Sequence, residues 1–214
     1  MEKLRDKDIR EPLFEYLEEY YGKVRFLEEK KTGKARADIL MILPEAIYGI
    51  EIKSDADTYV RLKEQVRNYD LYYNRNIVVV GSSHGHHIKE YVPEYWGIIT
   101  CELVDGKMDF YILREPLENT KVKPINQLSF LWRPELNRLL EQNGLPKYAY
   151  KSKDFVRHCL IERVSPDVLW PQVYEQLFER DYTALIEEIT AYRAEKGKGP
   201  KRKPRRWRKR KTKG

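Results

Sequence analysis

The chain has 214 residues and a formal net charge of +7, and its 41% hydrophobic and 12% aromatic content describes a folded protein with one sizeable core and a small accessory unit. Two cysteines, Cys101 and Cys159, argue against a disulfide scaffold, and no apolar run is long enough to span a membrane or act as an N-terminal leader, which implies a cytoplasmic protein. The charge is unevenly placed: residues 196–214 hold 12 of the 41 Lys and Arg and none of the 34 Asp and Glu, leaving 29 against 34, or −5, on residues 1–195.

In chain order, residues 8–21 read as a leading helix with Ile9, Leu13, Leu17 and Tyr20 on the buried side and Pro12 tolerated in the first turn. A strand follows over 23–30. Residues 35–43 and 46–54 then read as two strands joined by a two-residue turn at Pro44 and Glu45. In that register, paired positions sum to 89. Ile39 faces Ile50, Met41 faces Tyr48, Ile42 faces Ile47, and Asp38 faces Glu51. Side chains so opposed have Cβ atoms about 4.5–5.5 Å apart, and two carboxylates at that distance repel. A hard divalent cation, Mg²⁺ with Mn²⁺ as a substitute, satisfies both and can also take the carbonyl of Ile52.

Alternation puts Lys53 on the face of Glu51, aimed at whatever the cation holds, and Arg36 on the face of Asp38, where it meets a phosphate or neutralises the acids. A turn one residue longer would separate the two acids onto opposite faces. The bland reading is a solvated Glu-x-Lys pair, but strands apolar on both faces make a lone buried carboxylate costly.

Residues 58–73 read as a helix with Asp57 as N-cap and an apolar face through Leu62, Val66 and Tyr69. Arg61, Gln65 and Tyr69 recur every four residues along one stripe, with Arg61 a candidate phosphate ligand. A buried strand over 76–81 completes an αβββαβ order, and a short helix over 86–91 and a ribbon of 96–104 and 107–114, turning at Asp105-Gly106, follow. Three of the four histidines lie in Ser83-His84-Gly85-His86-His87, but no cysteine spacing supports a zinc site. Residues 116–195 read as helices starting near Trp132, Ser152, Ser165 and Asp181. Residues 196–214 are expected to be disordered and to bind nucleic-acid phosphates through charges such as Arg205, Arg206 and Arg208, with Trp207 stacking on a base.

Asp38 followed by Glu51-Ile52-Lys53 resembles the signature of the PD-(D/E)xK nuclease superfamily, with Ala37 where a proline often precedes the first acid. Gln65-Val-Arg-Asn-Tyr69 resembles the Q-x-x-x-Y motif of its RecB-type branch. The resemblance covers residues 8–82, and the helices after 115 resemble the extension found in a group of bacterial and phage-associated restriction-like proteins.

The resemblance implies a restriction-endonuclease-like α/β core over 1–115, a mixed sheet flanked by helices, then a helical extension over 116–195 and the basic tail. It implies Mg²⁺-dependent phosphodiester hydrolysis with Asp38, Glu51 and Lys53 catalytic, Asp38, Glu51 and the Ile52 carbonyl on the metal, and Gln65 and Tyr69 in support. An acid on the first helix, Glu11 or else Glu15, would assist the metal site. The expected partner is nucleic acid, DNA in preference to RNA, with no membrane and the oligomeric state open. The alternative is a catalytically silent nucleic-acid-binding or interaction protein of the same fold.

Overall fold

Six strands form one mixed sheet in the order β1-β2-β3-β4-β5-β6: β1 Arg25–Thr32, β2 Ala35–Ile42, β3 Ile47–Lys53, β4 Arg75–Gly81, β5 Gly97–Val104 and β6 Lys107–Arg114. The computed structural model describes residues 6–32, 35–54, 57–81, 85 and 87–195. β1, β2 and β3 pair antiparallel, β4 runs parallel to both β3 and β5, and β6 returns antiparallel. The β2–β3 turn closes with the Leu43 N–H on the Ala46 carbonyl at 2.9 Å. The pairs Ile39–Ile50, Leu40–Gly49, Met41–Tyr48 and Ile42–Ile47 give the register of the two-residue turn. Every residue of β3 is buried, because helices cover both faces of the central strands.

α1, Asp6–Tyr21, lays Ile9, Leu13 and Leu17 on one face, against Ile39, Met41, Ile50, Ile52, Ile77, Val79 and Ile99. The alternate residues, including Gly49 and Glu51, face the other way. There α2, Leu62–Tyr69, buries Leu62, Val66 and Tyr69, and the ring of Tyr73 lies directly over the Cα of Gly49. α2 is shorter than its sequence suggests. A 3₁₀ turn, Tyr59–Arg61, precedes it, and Asp57 is not its N-cap. The Asp57 carboxylate instead accepts the Ser54 N–H and Oγ–H at 2.9 and 2.7 Å, closing the end of β3. The expected short helix after β4 is a 3₁₀ turn over His87–Glu90.

The chain separates into two compact units, Met1–Glu179 and Arg180–Gly214. The first contains the sheet together with α3 Pro124–Gln127, α4 Arg133–Gln142, α5 Lys153–Arg163 and α6 Pro166–Phe178. α4, α5 and α6 pack on one another through Leu136, Leu139, Leu140, Val156, Leu160, Val173 and Leu177, and α6 also contacts β2. The helices to Glu179 thus share a unit with the sheet. In the second unit α7, Tyr182–Glu195, is capped by Asp181, whose Oδ1 accepts the N–H groups of Thr183 and Ala184. Among the described residues no helix is long and apolar enough to cross a membrane.

Candidate active site

β2 and β3 stop pairing just where the acids begin. In the alternation of the ladder the Ile52 N–H would go to the carbonyl of Ala37; it goes instead to Asp38 Oδ2 at 2.9 Å. The Asp38 side chain therefore wedges between the strands and sits beside Glu51. Its own carbonyl accepts from Arg10 Nη1 at 2.8 Å, which ties β2 to the first turns of α1.

Glu51 is 2% exposed, and beside Asp38 three donors converge on its carboxylate. Lys53, 7% exposed and two residues along the same face, has its Nζ 2.6 Å from Glu51 Oε1. Gln65 Nε2 donates to the same oxygen, and the Tyr69 hydroxyl donates to Oε2. Gln65 and Tyr69 reach one carboxylate together because a four-residue step on α2 keeps them on one side. Burial raises the Tyr69 hydroxyl well above its ordinary pKa, and the charges of Glu51 and Asp38 raise it further, so it remains a proton donor.

Asp38 is pushed up to about 7, first by burial and then by the charge of Glu51; the Ile52 N–H, and more weakly Lys53, oppose the rise. Asp6 adds to it. Two carboxyl groups, those of Asp38 and Glu51, are thus crowded together in a largely buried setting. Gln65 Oε1 and Asp6 Oδ1 are both buried without a hydrogen-bond partner among the described residues. Such oxygens suit a hard divalent cation. No group of three or more His, Cys, Asp or Glu side chains gathers among the described residues, so any such ion would rest on two carboxylates with carbonyl and water oxygens.

Of the residues expected at the site, Asp38, Glu51, Lys53, Gln65 and Tyr69 come together. Glu11 does not. It is exposed, as is Glu15, and α1 packs on the sheet face opposite Glu51. At about 100° per residue, Asp6 and Arg10 fall on the same side of α1 as Ile9 and Leu13, while Glu11 points away. The α1 acid that acts on Asp38 is therefore Asp6, held at 2.8 Å by Arg10. Arg61 is exposed in the 3₁₀ turn and makes no contact with Glu51. Arg36 lies on β2 with its side chain outside the described residues, as are His84, His86 and the tail residues Arg205, Arg206, Trp207 and Arg208.

A second polar cluster had no sequence signal. Asp70, buried at the end of α2, accepts from Tyr95, from Trp96 Nε1 at 3.1 Å and from Lys121 Nζ at 3.3 Å. Asn119 Nδ2 caps the carbonyls of Asp70 and Tyr73 at 2.8 and 2.9 Å. These bonds fix the turn that delivers α2 to the sheet, and hence Gln65 and Tyr69 to Glu51.

No curated protein and no solved structure matches this chain. One protein family does, over most of its length: the model for bacteriophage P4 protein cII matches residues 1–192. The chain belongs to the bacteriophage P4 protein cII family.

Proposed function

We propose that this cII-family chain is a metal-dependent nuclease of restriction-endonuclease-like fold that hydrolyses phosphodiester bonds, with DNA favoured as the substrate. The observation that carries the reading is the convergence of Asp38, Glu51 and Lys53 on one sheet face, with Gln65 and Tyr69 bound to Glu51. The strand order through β4, with α1 on one face and α2 on the other, supports it as well.

Asp38, Glu51 and the Ile52 carbonyl would hold Mg²⁺ or Mn²⁺, which when bound supplies a water of lowered pKa and neutralises charge on the phosphate. Lys53 is held in place by Glu51 and offers a fixed positive charge to the transition state. Gln65 and Tyr69 fix the carboxylate of Glu51 from its other side. Tyr69 remains a phenol and moves no proton. Asp38, pushed up to about 7, would release its proton to solvent at little cost at neutral pH if a cation took its place.

One observation favours a second reading, a nucleic-acid-binding or interaction protein that does not cut. Both oxygens of Glu51 already accept hydrogen bonds, Oε1 two of them, which is also what a purely structural buried carboxylate requires. Incubating the purified chain with plasmid, single-stranded DNA and RNA in Mg²⁺, Mn²⁺ or EDTA separates the readings. Cleavage in either metal that EDTA abolishes is expected; binding without cleavage on every substrate would leave only the second reading.

A further inference from the structure

Between α4 and α5 the chain runs through Leu145–Ser152 without regular structure, yet its path is tightly specified. Gly144 ends α4 at φ 65°, and Tyr148 sits at φ 46°, a conformation a non-glycine residue seldom adopts. The Arg133 guanidinium reaches across the loop, with Nη2 on the carbonyls of Lys147 and Tyr148 at 3.2 and 2.7 Å and Nη1 on those of Lys151 and Ser152 at 3.1 and 3.5 Å. A turn closes from the Lys151 N–H to the Tyr148 carbonyl at 2.9 Å, and Ser152 caps α5. At the tip of this clamped turn Tyr150 is 92% exposed.

The surroundings are basic on an acidic body. Residues 145–158 carry Lys147, Lys151, Lys153 and Arg157 against Asp154 alone, while the rest of residues 1–195 holds 25 Lys and Arg against 33 Asp and Glu. Lys147, Lys151 and Lys153 are exposed. Lys151 also lies over the Phe155 ring at 5.2 Å, and Arg157 pairs with Asp154 at 2.6 Å. The N-terminus of α5 adds the positive end of its dipole beside these cations.

We propose that the Lys147–Phe155 turn is a binding surface for single-stranded nucleic acid, on which an unpaired base stacks on Tyr150 while Lys147, Lys151 and Lys153 take the flanking phosphates. It rests on the nucleic-acid partner of the proposed function and is independent of cleavage. A flat ring presented on a prefixed support loses little entropy on stacking, and cations on both sides match a charged backbone. An acidic peptide would use the lysines and leave the ring without a role. Stacking also demands an unpaired base, which selects single strands over duplex.

The test uses the full chain in EDTA, so that cleavage has no influence on the result. Anisotropy of a labelled oligothymidylate is read across a salt series for wild type, Tyr150→Ala and Lys147→Glu/Lys151→Glu. Tyr150→Ala is expected to weaken binding about tenfold with the salt slope unchanged, and the double variant to reduce the slope by about 0.7 for each phosphate that is no longer neutralised. An oligonucleotide containing 5-iodouracil should cross-link to the peptide carrying Tyr150. Unchanged affinity in Tyr150→Ala overturns the proposal, and so do cross-links confined to other peptides. Loss of binding to anionic lipid vesicles, with oligonucleotide binding intact, would also overturn it and assign the turn to a membrane surface.

Discussion

Asp38 carries an electrostatic consequence that falls within the working pH range. In the folded chain it keeps its proton up to about pH 7, whereas an ordinary aspartate gives it up near 3.8. Between those values the folded state binds more protons than the unfolded state, so stability falls as pH rises from about 4 to 7 and levels off above that. In EDTA, Asp38→Asn should abolish this decline and be more stable than wild type at pH 8 by about 1–3 kcal/mol, as read by urea unfolding. Mg²⁺ should raise wild-type stability at pH 8 and leave Asp38→Asn unmoved; equal responses would count against Asp38 as a ligand. Local periodicity made Asp38, Glu51, Lys53, Gln65 and Tyr69 legible in the sequence, since period two fixes the strand face and a four-residue step fixes the helix side. Asp6 is not legible in the same way, because a helix read from residue 8 leaves it outside the element whose phase would set it beside Ile9 and Leu13.

At the scale of elements, the β2–β3 ribbon depends on the turn that follows α2. Gly49 has no Cβ because Tyr73 occupies that space: a Cβ there would lie 2.2 Å from Tyr73 Cδ2, well inside contact distance. The ring is also held between Tyr69 and Phe130, so it has little room to yield. Gly49→Ala should therefore cost about 2–3 kcal/mol in urea unfolding and also weaken the Tyr69 contact with Glu51. A cost below about 0.5 kcal/mol would mean that Tyr73 does not pack as described. The register of this ribbon could be read in advance because the turn length and three apolar pairs agreed on it. The start of α2 could not, since Asp57 serves Ser54 rather than the helix. The Asp70 cluster joins residues 25 to 51 positions apart, a separation that no local pattern encodes.

For the whole molecule, charge and chemistry occupy different places. Residues 1–195 are net negative and hold the carboxylate site, while 12 of the 41 Lys and Arg lie in residues 196–214, beyond the described residues. On the proposed reading the basic segments gather substrate and the sheet cuts it, so the two steps separate by mutation. Glu51 is a poor probe, because its removal strands three donors in a buried setting and endangers the fold. Lys53 is the better one, since Glu51 keeps Gln65 and Tyr69 when it is gone. The decisive measurement is the single-turnover cleavage rate of wild type and Lys53→Ala in Mg²⁺, with substrate affinity taken in parallel. The account predicts a rate loss of about 10²–10³-fold at nearly unchanged affinity; equal rates for the two proteins, or no cleavage by wild type, would contradict it.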